Sequence, residues 1–302
     1  MQIVYRSSIE QKILTLEGPY DQIDFQQVKY QLENEQYTGL SIFDRGNEWG
    51  FLDLHFLKMF QGISGLYLDV YDCDLQLVEQ YLPNLKYISI YVHEKRSKII
   101  NIEKFNNLET LNLSDTPMNL TIPSSSIKCL TIGGKINLKN FDFSNFPTLK
   151  LLHLGGNFDN ASESNLSALK SLEGLVIGMC YRIYDLDFIS GMENLQALHL
   201  DWLPRLKKFP DISNLKKLRR VWLSDTKYED LSGLGTSTSI EELHIKCNVT
   251  AEQIIPLARI PSLKKVSFYL KSDSETKKAR KVFGDLYQET YWEPHYVGIG
   301  VQ

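Results

Sequence analysis

Three histidines, an aspartate and four cysteines are the groups through which this chain of 302 residues could do chemistry. His153, His199 and His244 stand at nearly equal spacing, and Asp201 follows His199 by two residues. Imidazoles brought together would suit a zinc ion, and a His–Asp pair would suit general acid–base catalysis. Local motifs add nothing to either. Gly133-Gly134-Lys135 lacks the rest of a phosphate-binding loop, no His-Glu-x-x-His occurs, and no Ser or Cys stands beside His199 and Asp201 as a nucleophile. Whether these groups meet is decided by the elements that carry them.

Those elements are repeats. The pattern Leu-x-x-Leu-x-Leu, with other apolar residues standing in, begins at Tyr37, Ile63, Leu85, Leu108, Ile127, Leu149, Leu172, Leu195, Leu218, Ile240 and Leu263, at intervals of 19 to 26 residues that are mostly 22 or 23. That period predicts one strand and one return segment per turn, over eleven turns. Strand side chains alternate faces, so the fourth and sixth positions share the core side while the third, fifth and seventh point out. A single turn cannot bury its apolar face, and stacked neighbours must supply the missing wall. Return segments bring their own apolar sets, such as Ile183, Leu186, Phe188 and Ile189, then Phe209, Ile212 and Leu215.

This rhythm resembles the 22-residue class of leucine-rich repeats found in internalins and in phosphatase regulatory subunits, over residues 37 to 270. The resemblance implies an α/β leucine-rich-repeat solenoid with a curved parallel sheet on its concave face, short helical or irregular return segments and a cap at each end. It also implies a buried Asn or Cys at the ninth position of each turn, bonded to neighbouring backbone. Asn157, Cys180 and Asn248 fit, and Thr116 and Thr226 are substitutes. Arg45, Tyr71, His93, Lys135, Leu203 and Lys271 depart from the pattern and predict irregular loops there.

The chain divides into an N-terminal cap at 1–36, the solenoid at 37–271 and a C-terminal cap helix and tail at 272–302. Alternating stretches around Ile3-Val4-Tyr5 and Ile13 to Leu16 predict strand pieces, and Asp21 to Gln36 a short helix. Ser274 is the expected N-cap of the last helix, which would turn Val282, Phe283, Leu286 and Tyr287 onto the final turn. The tail from Tyr291 through Trp292 and Tyr296 would cover the end of the core.

In this register the outward residues form ladders across the concave face. The fifth-position ladder runs Ser41, Tyr67, Ser89, Asn112, Thr131, His153, Val176, His199, Trp222, His244, Ser267. Successive histidines fall two turns apart, which puts their strands about 10 Å from each other. That is too far to share a zinc ion at roughly 2.1 Å per bond. The expected site is therefore a partner-binding surface made of Tyr67, Tyr91, His153, His199, Asp201, Trp202, Trp222 and His244. Gly133, Gly155 and Gly178 are read as a trough where another chain's backbone can approach. Exposed Trp and Tyr beside a recess match the make-up of interface hot spots.

Charge narrows the classes of partner. Residues 1–204 carry 16 Lys/Arg against 25 Asp/Glu, and residues 205–302 carry 17 against 12, within a net charge of −4. Most positions of the basic runs near Arg205, Lys216 and Lys277 map to return loops and the cap and do not line a continuous surface with stacking aromatics, which argues against nucleic acid. No stretch has the length of a signal-peptide core or a membrane span. A cytoplasmic, monomeric, non-enzymatic protein that needs no cofactor or metal and grips a folded partner, most concretely an immunity-type inhibitor or antitoxin that meets a toxin or enzyme in a bacterial cytosol, is the leading expectation. Two alternatives stay open: a secreted or surface adhesion or effector protein of the internalin kind, and an enzyme using His199 and Asp201 as acid and base. Because Cys73, Cys129, Cys180 and Cys247 fall in different turns, thiol titration after non-reducing unfolding is expected to count four free thiols. A measured disulfide would break the assignment of cysteines to turns.

Overall fold

A computed structural model describes residues 12–17, 20–44, 50–92, 102–114, 126–134, 142–156 and 165–289. The chain forms two compact units, divided after Gly134.

In the first unit the strands are β1 (Ile13–Glu17), β2 (Gly39–Asp44), β3 (Phe51–Leu52), β4 (Gly65–Val70), β5 (Asp72–Cys73), β6 (Tyr87–Val92), β7 (Thr110–Ser114) and β8 (Cys129–Gly134). Six of them make a parallel sheet in the order β1-β2-β4-β6-β7-β8, and β3 and β5 pair separately. The register sets like on like: Leu40 lies opposite Leu66, Leu66 opposite Ile88, Ile88 opposite Leu111 and Leu111 opposite Leu130. These fourth-position residues are at most 1% exposed, so each turn closes the apolar face of the one before.

The N-terminal cap is a strand and a helix, as the sequence implies, and the strand extends the sheet: β1 pairs with β2 in parallel. The Tyr20 hydroxyl donates to the Leu16 carbonyl and accepts from the Phe43 amide, both at 2.9 Å, which fastens β1 to β2. Helix α1 (Phe25–Asn34) starts at Asp24, whose carboxylate accepts from the Gln26 and Gln27 amides. It buries Val28 and Leu32 and stacks Phe25 on Phe56 at 4.4 Å. The second helix, α2 (Gln76–Tyr81), is a single return segment that buries Leu77 and Val78. Ile3 to Tyr5, Arg45 and His93 lie outside the described residues.

The second unit repeats the scheme with β9 (Leu151–Gly156), β10 (Gly174–Gly178), β11 (Ala197–Asp201), β12 (Arg220–Ser224), β13 (Glu242–Lys246) and β14 (Lys265–Tyr269), all parallel in sequence order. Its fourth-position row is Leu152, Leu175, Leu198, Val221, Leu243 and Val266, none more than 3% exposed. Most return segments are short 3-10 helices, at Phe143–Asn145, Asn165–Ala168, Asp187–Gly191, Leu234–Thr236 and Ile255–Arg259. An Asp-x-Ser pair opens three of the returns. Asp142, Asp211 and Asp230 each accept the amide two residues on, at 2.8 to 3.0 Å, and so turn the chain off its strand direction. The α-helix α3 (Ala251–Ile254) begins with a capping box between Thr250 and Gln253.

The ninth-position ladder holds at some turns and shifts at another. The Cys180 thiol donates to the Gly178 carbonyl, and buried Thr226 accepts from the Leu203 amide at 2.9 Å while donating to the Ser224 carbonyl at 3.2 Å. Asn248, the expected counterpart after β13, is exposed. Cys247, one residue earlier, takes the buried place instead. Thr116, Asn157 and Lys135 lie outside the described residues.

At the C-terminal end, helix α4 (Asp273–Phe283) is capped by Ser272, whose hydroxyl accepts from the Glu275 amide, and not by Ser274 as its sequence suggests. With the start two residues earlier, Ala279 and Phe283 face inward, four apart on one side, and Val282 is left 51% exposed. Phe268 of the last strand then packs against Phe283 at 5.3 Å and Tyr287 at 4.8 Å. Beyond the helix, Tyr287 bridges to Val266, and the Gln288 amide donates to the Val266 carbonyl at 2.8 Å. The free edge of β14 is thereby covered, which blocks edge-to-edge association. Tyr291, Trp292 and Tyr296 lie outside the described residues.

One glycine in this unit is required by space. A Cβ on Gly233 would sit 2.2 Å from the Pro210 carbonyl oxygen and 2.4 Å from that of Phe209, whereas one on Gly235 would meet only the end of Leu257 at 3.7 Å. Gly233→Ala is therefore expected to destabilise by about 2 kcal/mol or more, because backbone must move. Gly235→Ala should stay within about 0.5 kcal/mol of the parent. Urea denaturation of both variants checks this, and equal midpoints would refute the close approach.

Candidate functional site

Parallel register turns the repeat into rows of side chains. In the second unit His153 lies opposite Val176, Val176 opposite His199, His199 opposite Trp222, Trp222 opposite His244 and His244 opposite Ser267. With strands about 4.8 Å apart, these six outward residues make one continuous row. The Trp222 ring lies 3.7 Å from the His244 ring at 30° and 5.7 Å from the His199 ring. His244 in turn meets the Ser267 hydroxyl through Nδ1. The row is packed within itself: Val176, His244 and Ser267 are buried, and His153, His199 and Trp222 are half-buried.

That packing sets the charge. Burial lowers the pKa of His153, His199 and His244 to about 4 each; repulsion from His199 adds to the effect on His153 and His244, and Lys246 adds to it on His244. All three imidazoles are neutral near pH 7, so the row is aromatic and hydrogen-bonding without being cationic.

Neither chemical use of the histidines is assembled. A residue stands between each successive pair, and among the described residues no group of three or more His, Cys, Asp or Glu is placed to hold a metal. His199 and Asp201 share a strand face but are not hydrogen-bonded. Two residues along a strand separate them by about 6.6 Å, and Asp201 turns sideways to accept the Ser224 hydroxyl at 2.6 Å. An imidazole with a pKa near 4 is also a weak base at neutral pH.

Trp202 lies outside the row, on the corner that follows β11. It is 40% exposed and meets Tyr181, 44% exposed, edge to face at 4.9 Å. Tyr181 and the neighbouring Met179 carry no repeat signal, so the sequence does not mark them.

The three trough glycines differ. Gly155 is half-buried beside His153, and a Cβ there would stand 3.7 Å from the imidazole. Gly178 is buried, with the Asp201 side chain 3.7 Å from its Cβ position, so the backbone recess expected at that turn is closed. Gly133 belongs to the first unit, where a Cβ would lie 2.8 Å from the Ser114 hydroxyl oxygen.

The first unit carries its own outward row. Tyr67 stacks on Tyr87 at 4.4 Å, and the Tyr87 hydroxyl accepts from the Asn112 amide group at 2.7 Å. Tyr87, an outward third-position residue, is only 3% exposed because it lies over the row, and burial raises the pKa of its phenol. Tyr67 and Tyr91 are half-buried. The four cysteines are free thiols, and burial pushes Cys73, Cys180 and Cys247 up to about 12, which makes them unreactive. No helix among the described residues is long and apolar enough to cross a membrane.

The neutral histidines predict a pH dependence with a definite sign. The unfolded chain protonates its histidines as pH falls through about 6.5, while the folded protein resists until about 4. Stability should therefore decline between pH 6.5 and 4 and stop declining from this cause below the folded pKa. Carboxylates held low in the fold, such as Asp142 and Glu241, act only below about 4.5, so the window from pH 6.5 to 5 reports the imidazoles. Urea denaturation across that window should show unfolding coupled to proton uptake that rises from about one and a half protons at pH 6.5 to between two and three near pH 5. A flat profile would mean that water reaches the row.

An internalin of Listeria monocytogenes (inlF) is 14% identical over 84% of this chain and 79% of its own, with a TM-score of 0.49. Internalin C2 of the same species is 19% identical over 79% and 84%, with a TM-score of 0.39. A leucine-rich-repeat protein of Leptospira interrogans is 16% identical over 92% and 89%, with a TM-score of 0.44. No curated protein matches the sequence. Residues 52–278 match the leucine-rich-repeat domain of the EGF-like domain-containing protein ComC, three quarters of the chain. The chain belongs to that leucine-rich-repeat family.

Proposed function

We propose that this protein is a non-enzymatic binding module that holds a folded protein partner against the outward face of its strands, in its most concrete form as an immunity-type inhibitor in a bacterial cytosol. Leucine-rich-repeat domains in general bind proteins. The observation that carries the reading here is the His199–Trp222–His244 stack, in which a half-buried indole is wedged between two imidazoles on rigid strands. A partner that docks there orders few side chains on this side and meets uncharged rings in the stack itself. Aromatic surface of this kind supplies most of the energy in many interfaces. The free, largely buried thiols suit a reducing compartment.

A second reading, a secreted or surface protein that binds its partner outside the cell, is favoured by the family match. That repeat domain is named for a protein with EGF-like domains, and such domains are disulfide-dense modules of secreted chains. Identification of the partner separates the two readings, since one predicts a cytosolic protein and the other a host or surface molecule.

The test is affinity capture from native cells, followed by calorimetry with the partner that is retained. Trp222→Ala should weaken binding by about thirtyfold, and Lys227→Ala, on an exposed return loop, should change it little. The reverse order, or unchanged affinity for Trp222→Ala with the fold intact, would move the site off the strand face.

A further inference from the structure

The corners that follow the strands of the second unit carry a cost that the fold does not recover. After β9, β10, β11 and β12 the chain passes through left-handed backbone, at Gly156 (φ 109), Met179 (φ 55), Trp202 (φ 48) and Asp225 (φ 48). Glycine adopts that conformation freely, but Met and Trp are strained in it. Burial does not compensate them, because Met179 is 52% and Trp202 40% exposed. Main-chain bonds hold the strained corners in line: the Met179 amide donates to the Asp201 carbonyl at 2.9 Å, and the Trp202 amide to the Ser224 carbonyl at 3.0 Å. Two large apolar side chains are thus presented to solvent at positions where a glycine would serve the fold better.

Beside them lies a carboxylate without a counterion. Asp201 is half-buried, and its Oδ1 accepts the Ser224 hydroxyl at 2.6 Å, yet no Lys, Arg or His among the described residues forms an ion pair with it. Asp225, one turn on, differs in having Lys246 at 3.8 Å. Gly178, in register with Asp201, has no side chain to cover it. Tyr181 meets Trp202 edge to face, and both rings reach solvent.

We propose that Asp201, Trp202 and Tyr181 form a receptor for one cationic side chain of the protein partner, an arginine in preference to a lysine. A cation over an aromatic face is attracted by the ring quadrupole, and the neighbouring carboxylate adds a charge-assisted hydrogen bond. A guanidinium suits both at once, since its plane lies along an indole while its edge reaches an oxygen. An acidic group would be repelled by Asp201, and an apolar one would leave the half-buried carboxylate unmatched. The assignment rests on the protein-binding reading and adds the chemistry of one contact to it.

The probes are the peptides acetyl-Gly-Arg-Gly-amide and acetyl-Gly-Glu-Gly-amide, titrated into the full chain while the Trp202 indole N–H is followed by NMR. The Arg peptide should give a saturable shift in the millimolar range, and the Glu peptide none. Asp201→Asn should weaken the Arg peptide roughly three- to tenfold and leave the fold intact, because an Asn oxygen can still accept from Ser224. Trp202→Gly should unfold at a temperature no lower than the parent. Equal shifts from both peptides, no saturable shift, an unchanged response in Asp201→Asn or a large loss of stability in Trp202→Gly would each overturn the assignment. A captured partner that depends on Trp222 but is indifferent to Asp201→Asn would sink this contact and leave the strand-face reading standing.

Discussion

A repeat of 22 or 23 residues has too little apolar surface to fold by itself, and its two inward strand residues reach a dry environment only when the next turn closes over them. Everything else in the structure depends on that sharing. It requires like positions to stack, as Leu152, Leu175 and Leu198 do, and stacking can be maintained only if each strand is parallel to the last and in the same register. The same requirement explains the ends. The first turn is walled by β1 and α1, and the last by Phe283 and Tyr287 over Phe268, because an open stack would expose the apolar row that every inner turn hides.

The register that builds the core also builds the outward face. Residues that are 22 or 23 apart in sequence become neighbours at strand spacing, so a surface property appears as a row and not as a local motif. The neutral histidines follow from this, since each is desolvated by a row neighbour from an adjacent turn. So do the ion pairs between turns at the second repeat position, Glu109 with Lys128, Lys150 with Glu173, and Glu241 with both Arg219 and Lys264. These pairs are largely solvated and add little stability each.

Departures from the repeat are where this chain acquires its individual chemistry. The left-handed corners need only glycine, and two of them carry Met and Trp. The buried ladder position after β13 is met by Cys247 in place of Asn248, because that turn lacks the left-handed corner residue and its chain turns inward one residue sooner. Gly233 is confined by the Phe209 and Pro210 carbonyls, a constraint set by the preceding return segment. Each departure is a local answer to a neighbour one turn away.

The sequence by itself determined the repeat, the eleven strands that begin two residues after its anchors, the inward and outward alternation of residues such as Leu198 and His199, and the presence of a strand and helix before the first turn. Period-two alternation and a fixed interval are one-dimensional signals, and they survive without knowledge of neighbours. Only the tertiary structure decided how outward side chains lean. It laid Tyr87 over its own row, closed Gly178 behind Asp201, turned Asp201 to Ser224 and away from His199, started α4 at Ser272 and so left Val282 in solvent, and made the histidines neutral. The physical reason is the same in most of these cases: a side chain on a strand face settles its rotamer and its protonation against residues of the adjacent turns, and those contacts exist only once the turns are stacked.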